Sequence, residues 1–386
     1  MPEFISGLKL SELFYREAVS PILERNFPGL AHSAALIGYG SDVLGYDTEI
    51  SRDHMWGPRL MLFLPIEDFD NTSQVVDETL RCELPKRFHG YSTHFSKPNP
   101  LDNGVRVSED IESGPVEHLI EIETIPSYWQ KTGMIDPLRE LTVTEWLTIP
   151  QQQLLEWTEG MVFHDDLGLK AIRQLFAYYP RDVWLYLLAS QWAQIAEIEA
   201  FVGRTWQLGD LLGSQLVATQ IVEKFIHLCF LMERQYAPYA KWRGTAFKEL
   251  RCYPEMQPLL AGILSTLDYL QREPWLVQSY TLVAELHNAL KITPPIDVHT
   301  RTYSGWHVYN TEQRELVQDE PKNTRPHQVI FAERFVDAIR AEIHDPEVLS
   351  LRPNLGSVSQ FLRESCPAVQ STAFCHGLED DLRAGN

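Results

Sequence analysis

The side chains best suited to chemistry lie in one stretch, GYGSDVLGYDTEISRDHMWGPRLMLFL, in which Gly40 and Ser41 precede Asp53 and a long apolar run. A glycine-serine turn at the end of a strand offers backbone N–H groups and a hydroxyl to phosphate oxygens, and glycine lets the backbone approach closely. A carboxylate on the next strand would hold a divalent cation against those phosphates, and two carboxylates at i and i+2 would share one strand face. Asp53 fits the first position. Met55 stands at the second, and a thioether is a poor ligand for a hard cation. A further carboxylate is expected from a later strand, where Glu121 and Glu123 share one face of LIEIETI and Glu121 is preferred as metal ligand or base. Arg59 follows the motif directly. Arg234 and Lys241 in MERQYAPYAKW supply cations that would neutralise a triphosphate from the helical half of the chain.

Each of these residues has a plainer reading. A glycine-serine pair can be an ordinary turn, and alternating glutamates on a strand can simply face solvent. Arg234 and Lys241 can serve as cations at a helix C-terminus, where the dipole favours them. His164, Asp165 and Asp166 resemble metal ligands, but neighbouring side chains rarely converge on one ion, so an exposed turn or helix cap is expected there.

The elements that must position these groups are legible in the hydrophobic pattern. Residues 8–25 predict an amphipathic helix ended by Phe27-Pro28-Gly29, SAALIGYGS and PRLMLFLP predict strands, residues 73–84 a helix, and VEHLIEIETI another strand. Residues 92–114 read as an exposed loop or hairpin. From about Thr142 the segments lengthen to helical runs such as DVWLYLLASQWAQIAEIEAF and QLVATQIVEKFIHLCFLMERQY, which predicts a bundle. The tail opens with Pro294-Pro295 and contains one clear helix, FAERFVDAIRAEIHD. The expected organisation is α+β: a mixed sheet with flanking helices over 1–141, a helical bundle over 142–292, and an extension over 293–386 that packs on both.

Composition narrows the partners. The chain has 386 residues, 44% of them hydrophobic and 22% charged, in keeping with two or three folded domains. Its net charge of −20 repels a phosphate backbone, which disfavours nucleic acid. Five scattered cysteines without a Cys-x-x-Cys pair indicate neither a disulfide framework nor a structural zinc site. The sequence shows no signal-peptide pattern and no stretch read as a bilayer span, so a soluble cytoplasmic protein is expected.

Through the Gly-Ser and Asp53 segment, the first 150 or so residues resemble the nucleotidyltransferase superfamily typified by polymerase-beta-like and aminoglycoside-modifying enzymes. The wider chain resembles a bacterial family catalogued as domain of unknown function 4037, through GSDVLGYD, SRDHMWGPRL, YYPRDVW, ERQYAPYAKW and GSVSQF. The resemblance implies a nucleotidyltransferase-type sheet and a magnesium or manganese ion held by Asp53 and Glu121. It further implies a nucleoside triphosphate on Gly40 and Ser41, with Arg59, Arg234 and Lys241 as charge partners, and a hydroxyl or amine acceptor. Because Met55 breaks the carboxylate pair, a degenerate fold that binds a nucleotide or a protein without turnover is the alternative.

Overall fold

The structure is a computed structural model and describes residues 3–304, 308–310, 315–317, 324–362 and 371–383. By internal packing the chain divides into two units, Met1–Glu140 with Gln152–Ala177, and Leu141–Gln151 with Tyr178–Asn386.

In the first unit the amphipathic run forms α1 (Gly7–Phe14) and α2 (Ser20–Asn26), joined by a π-helical turn over Tyr15–Val19. Leu10, Phe14, Val19, Ile22 and Leu23 are buried, since spacings of three and four put them on one helix face. The helix ends at Phe27, which leaves helical geometry just before Pro28. There follow β1 (Ser33–Leu36), a short 3₁₀ helix (Glu49–Asp53), β2 (Arg59–Phe63) and α3 (Phe69–Glu83). A small hairpin of β3 (Arg87–Phe88) and β4 (Tyr91–Ser92) leads to β5 (Leu119–Glu123) and α4 (Ile125–Gly133).

The main sheet has the order β5–β2–β1 and then β6 (Met161–Asp165), with β2 parallel to β5 and β1 antiparallel to both β2 and β6. It is a mixed sheet in an α+β fold. Strands β1 and β2 are buried along their whole length, so their sequences read as continuous apolar runs. Leu60 and Leu62 join Leu10, Phe14, Val76, Leu80 and Ile120 in one core. Phe63 alternates to the other face and meets Tyr128 edge-on, with ring centroids 5.7 Å apart.

Strand β6 corrects the reading of VFHDDLG as an exposed turn. It pairs with β1 through Ala34 and His164 and through Ser33 and Asp165. Gly160 makes the pairing possible: its φ is +84°, and a Cβ there would meet the Leu36 carbonyl at 2.0 Å. The helix-cap part of that reading survives for Asp165. Its carboxylate accepts the Leu169 and Lys170 N–H groups at 2.7 and 3.0 Å, at the start of a helix over Leu169–Leu175.

The second unit begins with α5 (Val143–Thr148); α6 (Gln151–Thr158) then carries the chain back to the first unit, which ends after α7, the helix over Leu169–Leu175. The expected bundle appears as α8 (Arg181–Ile198), α9 (Phe201–Gln207), α10 (Leu211–Glu233), α11 (Ala240–Phe247), α12 (Tyr253–Ser265) and α13 (Tyr269–Ala289). Helix α10 is long and apolar enough to cross a bilayer by length and composition alone, contrary to the sequence expectation of no such run. Half of that stretch is buried inside the unit, as in a core helix. The tail adds β7 (Arg301–Ser304), β8 (Val308–Asn310), β9 (Glu315–Val317), β10 (Thr324–Val329) and α14 (Glu333–Arg340). Helix α14 docks on α8, where Phe335 stacks on Trp192 at 4.1 Å.

Candidate functional site

The chain leaves β1 in a tight turn from Gly38 to Asp42. Gly40 has φ +120°, and a Cβ there would lie 2.2 Å from the Asp42 carboxylate and 2.5 Å from the Arg59 guanidinium. Glycine is therefore required at position 40 on two counts, backbone conformation and space. The packing that demands it is an ion pair: Arg59 Nε and Nη2 donate to the two Asp42 oxygens at 3.0 and 2.7 Å, and Nη2 also donates to the Tyr39 carbonyl at 2.7 Å. Both side chains are almost wholly buried, at 5% and 2% exposure. Burial pulls the guanidinium down, but the Asp42 charge more than offsets it and holds Arg59 above its ordinary value. The Arg59 guanidinium also lies 4.7 Å from the Tyr39 ring centroid.

The turn is tied to the sheet on its other side. The Tyr39 hydroxyl donates to Glu121 Oε1 at 3.2 Å, and burial raises the phenol to about 12. Glu121 is the half-buried residue on β5 that pairs with Met61 of β2. The Ser41 hydroxyl, half-buried, has no hydrogen-bond partner among the described residues. Beneath the turn, the Tyr128 hydroxyl would lie 3.1 Å from a Cβ at Gly38 and is itself buried without a partner among the described residues. Burial raises this phenol, and the charges of Glu156 and Glu121 raise it further, while Arg173 and Arg59 oppose them. Glu156, on α6, accepts the Gly38 N–H through its backbone carbonyl at 2.9 Å. Its own carboxyl is pushed up by burial, against a hydrogen bond from Gln152. Oxygen donors thus converge around the end of β1 from the turn, β5, α4 and α6.

The structure gathers Gly40, Ser41 and Glu121 at one place, and adds Tyr39, Asp42, Tyr128 and Glu156, which the motif reading did not select. Burial raises the Glu156 carboxyl, and nothing in the local sequence of Glu156 shows that α6 returns to the first unit. Glu123 is committed to the start of α4, where it accepts from Ser127 at 2.7 Å and pairs with Lys131 at 3.2 Å.

Three expectations are corrected. Asp53 does not lie on a strand: it ends the 3₁₀ helix, is exposed, and pairs with His54 at 3.0 Å. Met55 does not share a strand face with it, since it sits at φ +49° with its N–H on the Arg106 carbonyl and its sulfur accepting the Arg106 N–H. Arg59, expected to face phosphates, is instead spent on Asp42. The same-face pair that β2 does present is Arg59 and Met61. In the second unit, Arg234 closes α10 in left-handed conformation with its guanidinium 4.2 Å from the Trp184 ring centroid, and the Lys241 ammonium lies 4.9 Å from that of Trp242.

The first unit is thus an α+β module with a polar cluster at the end of a mixed sheet. Residues 146–243, from α5 into α11, match the model of a family described as a domain of unknown function, DUF4037. The match does not extend over Gly40, Ser41, Asp53 or Glu121. No curated protein matches the chain. Among solved structures, the chain is similar to a nucleotidyltransferase-like protein from Exiguobacterium sibiricum 255-15. The two are 11% identical, the alignment covers 75% of this chain and 82% of that one, and the TM-score is 0.30.

Proposed function

We propose that the first unit binds a nucleoside triphosphate with magnesium or manganese at the Tyr39–Ser41 turn, and transfers the nucleoside monophosphate to a hydroxyl or amine on a small molecule or protein. The observation that carries this reading is the tie between the turn and Glu121 through the Tyr39 hydroxyl, which sets a carboxylate beside a glycine-serine turn whose hydroxyl is unengaged. Its donors are oxygens on half-buried residues, a set that suits a hard cation. Bound there, the cation would supply charge neutralisation at the phosphates. Gly40 and Ser41 would orient the phosphates, Glu121 would hold the cation, and the acceptor's proton leaves to solvent water. The acceptor oxygen or nitrogen bonds to the alpha phosphorus, the bond to the bridging oxygen breaks, and pyrophosphate leaves. Positioning and fixed charge do most of this work.

A second reading, binding without turnover, is favoured by β2. Its same-face positions are Arg59 and Met61, and the nearest buried carboxylate, Asp42, is neutralised by Arg59. One experiment separates the two. The protein is incubated with each triphosphate and magnesium, and pyrophosphate release, self-added nucleotide mass and melting temperature are followed. Turnover that Glu121→Gln abolishes supports transfer, while stabilisation without turnover supports binding alone. Neither signal with any triphosphate overturns both.

A further inference from the structure

We propose that His32, His164 and Asp166 form a second, independent site for a divalent cation of the zinc class, at the end of β1 opposite the Tyr39 turn. The pairing of β1 with β6 creates it. Ala34 lies opposite His164 and Ser33 opposite Asp165, and one step further the Asp166 N–H donates to the His32 carbonyl at 3.1 Å. Side chains alternate along a strand, so His164 and Asp166 share one face while Asp165 between them turns away to cap α7. His32 then meets both from across the ladder. One ligand atom from each of the three lies within 4.8 Å of the others, and His164 Nε2 is already 2.8 Å from Asp166 Oδ2. Consecutive residues do not converge here; alternate residues and a cross-strand partner do.

The protonation of His32 is set by its neighbours. Its Nδ1 lies 3.0 Å from the Leu30 carbonyl, which can only accept, so Nδ1 carries the hydrogen and the lone pair is on Nε2. A backbone carbonyl on the far nitrogen is the common way of orienting a metal-binding imidazole. In this structure that lone pair accepts from the Tyr15 hydroxyl at 2.9 Å, so a cation must displace Tyr15. The His32 and His164 rings stack with centroids 4.4 Å apart, and cation binding must turn the His164 ring out of the stack. The exposure of His164 and Asp166, 36% and 45% of their side chains, leaves room for that and opens the site to solvent. Two imidazoles and one carboxylate match zinc and its neighbours rather than magnesium, and three protein ligands leave a fourth position for water.

The test uses the full chain without a histidine tag. Zinc is titrated calorimetrically at neutral pH, and cobalt(II) is titrated in parallel for its visible ligand-field bands. The expected result is one equivalent bound, with tetrahedral cobalt absorption. His164→Ala and Asp166→Asn, at exposed positions where folding is checked by circular dichroism, each weaken binding at least tenfold. Glu121→Gln leaves it unchanged, which separates this site from the nucleotide proposal. Tyr15→Phe removes the competing donor and binds at least as tightly. No stoichiometric binding, folded His164→Ala and Asp166→Asn variants that titrate like wild type, or weakened binding in a folded Tyr15→Phe would each overturn the site and leave a hydrogen-bond network alone.

Discussion

The two units treat buried charge in opposite ways. In the first, Arg59 and Asp42 neutralise each other beside a turn whose Tyr39 and Ser41 reach solvent. In the second, Arg272 is fully buried and its hydrogen bonds go to the carbonyls of Ile263, Thr266 and Leu267 and to Ser214 and Gln215. Glu199, also buried, accepts the N–H groups of Ile330, Phe331 and Ala332 at 2.9, 3.2 and 3.1 Å. Neutral groups, mostly backbone, are the partners of these two ionisable side chains, and each ties distant segments together: Arg272 joins α10 to the turn between α12 and α13, and Glu199 joins the end of α8 to the start of α14. Buried charge in the second unit is therefore architectural. In the first unit it shapes a turn whose Tyr39 and Ser41 side chains reach solvent beside the half-buried Glu121.

The largest effects should come from breaking these buried charges. Arg272→Ala strands several buried carbonyls and should cost about 5 kcal/mol of the second unit's stability, read by chemical denaturation. Asp42→Ala should cost about 3–5 kcal/mol by leaving Arg59 unpaired, and adding Arg59→Met should recover much of it. A double variant as unstable as the single one would show that the pair does more than neutralise charge, and the contrast between the units would narrow.

Burial pushes the Glu199 carboxyl up to about 8, with the Glu333 charge adding and the backbone donors opposing. Because the folded value lies above the unfolded one, the folded state binds the proton more tightly. That stabilisation is complete below about pH 4 and is lost as pH rises through about 8. Melting of the second unit should fall over this window by an amount equivalent to a few kcal/mol, and Glu199→Gln should flatten the profile. A wild-type profile already flat from pH 5 to 8 would mean that the backbone donors keep the carboxylate ionised.

In the first unit, Glu121→Gln should weaken nucleotide binding at least tenfold, about 1.4 kcal/mol, while changing stability by no more than about 0.5 kcal/mol. A loss of stability without a loss of affinity would make Glu121 architectural too. The smallest effects belong to the loop before β2. Asp53→Asn and Met55→Asp should each change stability by less than about 0.5 kcal/mol and leave nucleotide affinity within about twofold, since Asp53 is exposed and aspartate tolerates the left-handed conformation of residue 55. A tenfold loss in Asp53→Asn would bring this loop into the site.

Periodicity alone determined much of this protein: the first helix, strands β1, β2 and β5, the bundle helices and α14 are each visible in runs of apolar residues, because burial of one face is a local demand on spacing. The glycine-serine turn and Glu121 were legible for the same reason, each lying at a strand's end or on its face. The placement of Asp53 was not. Thr48 and Ser51 form a reciprocal cap that favours a 3₁₀ turn where the motif suggested a strand, and the strand starts only after Gly57-Pro58. Tertiary structure alone decided that Arg59 belongs to Asp42, that α6 returns Glu156 to the first unit, and that β6 joins the sheet beside β1. The meeting of His32 with His164 and Asp166 follows from that last pairing. Spacing along a chain records which residues share a face of one element, but which faces meet depends on strand order and register, and these are settled by contacts between segments far apart in sequence.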